Sequence, residues 1–141
     1  MAAETNNGDK ASLLRLVDAN LNRLKEGIRV VEDVCRFVYE LKDEASRLKS
    51  IRHSAKTSYL LEALSHRDIV GDILKKSTAS EKFREDINSL LIANFKRAQE
   101  SARVLEETLK LFNEDEAEVF KKIRYELYDI EKSLFANLPI A

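Results

Sequence analysis

The chain has 141 residues, 24 of them basic and 25 acidic, with a formal net charge of −1 and a hydrophobic share of 44%. That is enough for one buried core, and too balanced for broad nucleic-acid binding, which needs a basic face. Three glycines and one proline supply too few turns for an all-β fold and no glycine-rich phosphate loop; the single Cys35 and two histidines exclude an internal disulfide and argue against a Cys or His metal site.

Residues 1–11 are polar and read as a flexible N-terminus, leaving residues 12–141 as a single helical domain. Apolar side chains at Leu13, Leu16, Leu24, Val31, Val34, Val38 and Leu41 predict one long helix from about Ser12. A second pattern runs from about Glu44 to Ser65 through Leu48, Ile51, Ala55, Tyr59 and Ala63. Residues 67–77, with Arg67, Asp68, Gly71 and Asp72, read as a functional loop. They either close over a ligand or form a charged, capped turn. Thr78-Ala79-Ser80-Glu81 fits a capping box opening a third helix that runs to about Phe112. Asn113-Glu114-Asp115-Glu116 repeats the capping logic, and the last helix stops before Pro139. No stretch approaches the ~18 apolar residues of a membrane span, nor does the start resemble a secretory leader. The expectation is a cytoplasmic protein with no membrane or nucleic-acid partner.

Residues 19–32 and 93–106 are identical at seven of fourteen positions without a gap. Leu48-Lys49-Ser50-Ile51-Arg52 likewise matches Phe120-Lys121-Lys122-Ile123-Arg124. The predicted fold is therefore all-α: an antiparallel bundle built from a duplicated helical hairpin (residues 12–66 and 78–137) about an approximate two-fold axis. The repeat keeps mainly polar residues, namely Asn20/Asn94, Arg23/Arg97, Glu26/Glu100, Arg29/Arg103 and Glu32/Glu106.

At about 100° per residue, Asn20 falls near the middle of the first helix's apolar arc, with Arg23 at its edge. Arg52 and Arg124 fall among apolar residues of the second and last helices. A buried unpaired charge is expensive, so inward arginines need carboxylates or an anionic ligand. Two alternatives follow. One is a structural Arg–Glu–Asn network, with Glu26, Glu100 and Glu131 as candidate partners. The other is an anion-binding cleft on the axis, where guanidinium forks grip phosphate and asparagine amides read a heterocycle edge. Away from the axis, Asn22, Arg29, Asp33 and Arg36 read as a solvated stripe and His53 as a surface residue. Cys35 reads as a small core residue, and Tyr125 and Tyr128 as packing rather than base-stacking residues.

The run Asp18-Ala-Asn-Leu-Asn-Arg-Leu-Lys-Glu-Gly-Ile-Arg-Val-Val-Glu-Asp33, followed by Arg36-Phe37, Arg52-His53, Arg67-Asp68 and Ala93-Asn-Phe-Lys-Arg97, resembles the small helical hydroxymethylpyrimidine phosphate kinase family of thiamine biosynthesis. Domains of that family stand alone or are fused ahead of thiamine phosphate synthase. The resemblance spans about Leu13 to Leu134. It implies ATP- and Mg²⁺-dependent phosphorylation of 4-amino-5-hydroxymethyl-2-methylpyrimidine phosphate to its diphosphate. On that basis Arg23, Arg52, Arg97 and Arg124 are expected to hold phosphates and Glu26 or Glu100 to hold magnesium. Asn20 or Asn94 would read the pyrimidine, and Arg67 with Asp68 would cap the site. Gly27, replaced by Ser101 in the second repeat, suggests room for the pyrimidine ring, and Lys96 suggests a place for the triphosphate. The alternatives are a non-catalytic dimerisation or docking module and an accessory subunit of thiamine phosphate synthase. The synthase chemistry itself is not expected here, since 141 residues without βα alternation fall short of the ~200 or more of a TIM barrel. Whether a second copy of the chain completes the site is left open.

Overall fold

A computed structural model describes residues 7–78 and 82–138. The regular structure among the described residues is all helical, with no strand among them. In chain order, α1 spans Asn7–Asp33 and runs into a π-type turn at Val34–Val38; α2 spans Lys42–Ser54, α3 Leu60–Ser65, α4 Ile87–Leu109 and α5 Glu114–Asn137.

Several boundaries differ from the sequence pattern, each for a local reason. The first helix starts at Asn7 rather than near Ser12 and does not reach Leu41. It widens into the π turn and ends at Glu40, whose φ of 53° is left-handed and incompatible with continued helix. The predicted second helix is broken after Ser54. Ser54 Oγ donates to the Ile51 carbonyl and Thr57 Oγ1 accepts from the Tyr59 amide, side chains competing with the helical ladder. Ser58 then donates from its amide and hydroxyl to Glu116, pinning the break to the start of α5.

Of the predicted third-helix capping box, residues 79–81 lie outside the described residues. The described helix begins at Ile87, because Asp86 in extended backbone accepts the Ser89 amide at 2.7 Å. The last helix is capped as expected, with Asn113 Oδ1 accepting the amides of Asp115 and Glu116. It ends at Asn137, and Leu138 is extended (ψ 145°), as a residue preceding proline must be.

Helix α1 packs most extensively on α4, α4 on α5, α2 on α1 and on α5, and α3 on α1. Gly27 lies against Asn94 and Ala98, while Asn20 and Ser101 share one cleft, so α1 and α4 run antiparallel. The buried stripe of α1 is Leu14, Val17, Leu21, Leu24, Ile28 and Val31, which keeps the predicted Leu24 and Val31, with Val34 buried beyond them, but is rotated away from the rest of the predicted arc. Leu16 and Val38 are exposed and Leu13 is half-buried. Leucines at 13, 14 and 16 fit two helical phases, and contact with α4 selects one. Facing that stripe are Leu91, Phe95, Ala98, Ala102, Leu105 and Leu109 of α4 and Phe120, Ile123, Leu127, Ile130 and Leu134 of α5. Full burial of each large side chain contributes about 1.5–3 kcal/mol.

Candidate functional site

The inward arginines divide into two classes. Arg52 donates through Nε and Nη2 to Glu32 Oε1 and Oε2 at 2.7 and 3.2 Å; the Glu32 side chain is 2% exposed. Arg124 donates through Nε and Nη2 to Glu106 Oε1 at 3.2 and 2.9 Å, and its guanidinium carbon lies 5.0 Å from the Tyr125 ring centroid and 5.9 Å from that of Tyr128. Both guanidinium groups are held above their ordinary pKa range. Hydrogen bonding to Glu32 does this for Arg52; for Arg124 the Tyr128 side chain leads and Glu106 follows, with burial opposing. These two arginines are therefore neutralised inside the bundle, each by the carboxylate of the neighbouring helix, and neither lines the cleft described below. The expected partners are also corrected. Glu32 and Glu106 take the arginines, whereas Glu131 accepts from Gln99 at 3.0 Å and Glu26 is exposed.

Arg67 closes on Asp18, not on Asp68. Its Nε and Nη2 donate to the two Asp18 carboxylate oxygens at 2.8 Å each, and Asp18 is 5% exposed. Hydrogen bonding to Asp18 raises the Arg67 pKa. Asp68 instead accepts the Gly71 amide at 2.7 Å, and its carbonyl accepts from Arg15 at 3.0 Å. The 67–77 loop is thus buttoned onto the N-terminal half of α1.

What remains uncommitted is a pair of arginines on either side of the α1–α4 crossing. Arg23 and Arg97 are exposed and make no ion pair among the described residues. They line one cleft of ≈ 610 Å³ together with Asn20, Asn94, Lys96, Glu100 and Ser101. The two asparagines are oriented alike, Asn20 Nδ2 donating to the Leu16 carbonyl and Asn94 Nδ2 to the Leu90 carbonyl at 3.0 and 2.9 Å. Each leaves its side-chain oxygen without a hydrogen bond among the described residues. Asn20 sits at the border of the α1 stripe rather than in its middle, as the corrected phase requires.

A second cleft of ≈ 350 Å³ adjoins the first and also includes Arg23. Arg15, Asp18, Asn22, Arg67, Asp68 and Asp72 belong to its wall. Gly27 offers no seat for a ring. A Cβ there would lie 3.1 Å from the Asn94 carbonyl oxygen, so the glycine lets the two helix backbones approach. Among the described residues no group of three or more His, Cys, Asp or Glu side chains is arranged to hold a metal ion, and Glu100 is the carboxylate on the larger cleft. No described helix is long and apolar enough to cross a membrane.

The sequence model of the ThiD2 family matches residues 15–133. The chain belongs to the ThiD2 family. The matched span of this ThiD2 chain contains Arg23, Arg97 and the pairs Asp18–Arg67, Glu32–Arg52 and Glu106–Arg124. A thiamine-phosphate synthase of Synechocystis sp. is 36% identical over 127 residues, covering 89% of this chain and 37% of the relative. That of Nostoc punctiforme is 37% identical over 124 residues, 87% of this chain and 35% of the relative. That of Rhodopirellula baltica is 34% identical over 127 residues, 86% and 34%. The ThiD2 chain spans little more than a third of the length of these curated relatives. No solved structure matches it.

Proposed function

We propose that this ThiD2 chain acts in thiamine biosynthesis as an ATP-dependent kinase, converting 4-amino-5-hydroxymethyl-2-methylpyrimidine phosphate to its diphosphate in the cytoplasm. The observation that carries the reading is that Arg23 and Arg97, free of ion pairs among the described residues, line one cleft with Lys96, Asn20 and Asn94. Cationic side chains without protein counter-charges suit a phosphate ligand. The nucleophile is a phosphate oxygen already anionic at neutral pH, so the site needs positioning and charge neutralisation more than a strong base. Arg23 and Arg97 supply both. Glu100, on the cleft wall, would share the hydration shell of a phosphate-bound magnesium ion, which would draw charge from the transferred group. Preference for the monophosphate over the free alcohol follows, because the alcohol would leave an arginine uncompensated. Arg52 and Arg124, held by Glu32 and Glu106 and not lining the cleft, enter as structural residues.

We also read the bundle as a duplicated hairpin. Support comes from the matched pairs Arg52–Glu32 and Arg124–Glu106 and from the identical back-bonding of Asn20 and Asn94.

The test is ADP release by purified protein with ATP, Mg²⁺ and either the pyrimidine monophosphate or the free alcohol. The expected result is ADP with the monophosphate and little with the alcohol. No ADP and no heat of binding would leave the docking or accessory-subunit reading. A specific observation favours that alternative: Leu61, Ile69, Val70, Ile73 and Leu74 are all more than two-thirds exposed. Co-purification with thiamine-phosphate synthase tests it.

A further inference from the structure

The two clefts differ in what they leave unspent, and they meet at Arg23. In the larger one, Arg23, Lys96 and Arg97 share the wall with one carboxylate among the described residues, Glu100. Among the described residues these three cations make no ion pair, so the wall presents an excess of positive charge. In the smaller one the charges cancel internally. Arg67 pairs with Asp18, Arg15 donates to the Asp68 carbonyl, and the Asp68 and Asp72 carboxylates accept the Gly71 and Leu74 amides. Arg15 and Arg23 are its cations without an ion pair among the described residues, and Arg23 is the one shared with the larger cleft. Asn22 is a side-chain amide there without a hydrogen bond among the described residues, beside the apolar surfaces of Leu16, Ala19 and Ile69. The first environment fits a polyanion. The second fits a small polar heterocycle carrying one phosphate, and its ≈ 350 Å³ is within the range of small-molecule sites.

We propose that the clefts are two subsites sharing Arg23: the Lys96–Arg97 cleft takes the triphosphate of the nucleotide, and the Asp18–Arg67 cleft takes the aminopyrimidine, with the acceptor phosphate at Arg23. The assignment rests on the kinase reading and deepens it. It moves the pyrimidine from Gly27, where the α4 backbone fills the space, to the opposite side of Arg23. The Asp18–Arg67 pair becomes the brace of the heterocycle subsite, and Asn22 its reading amide. In the transfer, an oxygen of the acceptor phosphate bonds to the terminal phosphorus of the nucleotide. The bridging P–O bond breaks and its electron pair leaves on the nucleoside diphosphate. Arg23 lies where both phosphates meet.

The experiment measures calorimetric binding of the pyrimidine monophosphate and of a Mg²⁺-bound, non-hydrolysable ATP analogue, each alone, to the whole chain and to three variants of unchanged helical content. Asn22→Ala is expected to weaken the pyrimidine about tenfold, the loss of roughly one good hydrogen bond, and to leave the nucleotide unchanged. Lys96→Ala should do the reverse, and Arg23→Met should weaken both. If Asn22→Ala and Lys96→Ala affect the same ligand, or Arg23→Met moves only one, the two-subsite assignment is overturned while the kinase reading stands. If the unaltered protein binds neither ligand, the kinase reading fails and takes the assignment with it.

Discussion

Arg52 meets a carboxylate with almost no access to water, and that fixes what its removal does. Taking away the guanidinium leaves the buried Glu32 with only the exposed Arg29, 3.9 Å away, as a counter-charge, a loss of up to about 3 kcal/mol for pairs of this kind. Arg52→Met should lower the urea midpoint by that measure, and adding Glu32→Leu should restore much of the loss, because the orphaned charge goes with it. A phosphate-gripping Arg52 would instead lose turnover at constant stability. The sequence displayed this residue's inward position but not its partner, since helical spacing places side chains on a face and says nothing about the facing helix. Glu26 and Glu32 were equally available on paper. Cys35 was legible. It is fully buried, and burial, aided by Glu44, pushes its thiol up to about 11. Alkylation by iodoacetamide at pH 8 should therefore be negligible in the folded protein and complete in urea, as mass spectrometry would read.

Among the helices, the α1–α4 crossing is sensitive to side-chain size at Gly27. Gly27 faces backbone rather than flexible side-chain ends, so Gly27→Val must push the helices apart or strain its rotamer. The expected cost is about 1–3 kcal/mol, read by thermal unfolding, and the spacing of Arg23 and Arg97 should widen with it. The start of α4 carries a pH dependence. The Ser89 amide holds the Asp86 carboxyl below the usual carboxylate range. The cap therefore contributes at neutral pH and is lost as acidification passes through that lowered value, below about pH 4. The protection factor of the Ser89 amide, its exchange taken relative to the intrinsic rate at each pH, should fall there, and Asp86→Asn, which caps without titrating, should flatten the response. The capping box read at Thr78 to Glu81 falls largely outside the described residues, while Asp86-Ile-Asn-Ser89 spells a plainer one-residue cap just before the buried stripe begins.

At the scale of the molecule, the number of long helices and their all-helical packing followed from apolar periodicity and from the scarcity of glycine and proline. The phase of α1 did not, because Leu13, Leu14 and Leu16 allow two. The cleft was half visible. The repeat drew attention to Asn20, Arg23, Asn94 and Arg97, which do share a wall, and to Arg52 and Arg124, which do not. The part played by Asp18 and Asn22 was hidden, since only the fold of the 67–77 loop brings Arg67 and Asp68 against α1. That connection has a further effect. From Arg67 to Thr78 every side chain is exposed, and the hairpins on either side bind each other through α1 with α4 and α2 with α5. Trypsin should cut after Lys75 or Lys76 under native conditions, yet the two fragments should elute together from a sizing column and part only in denaturant. The molecule would then work as a split protein, reassembled from separately made halves.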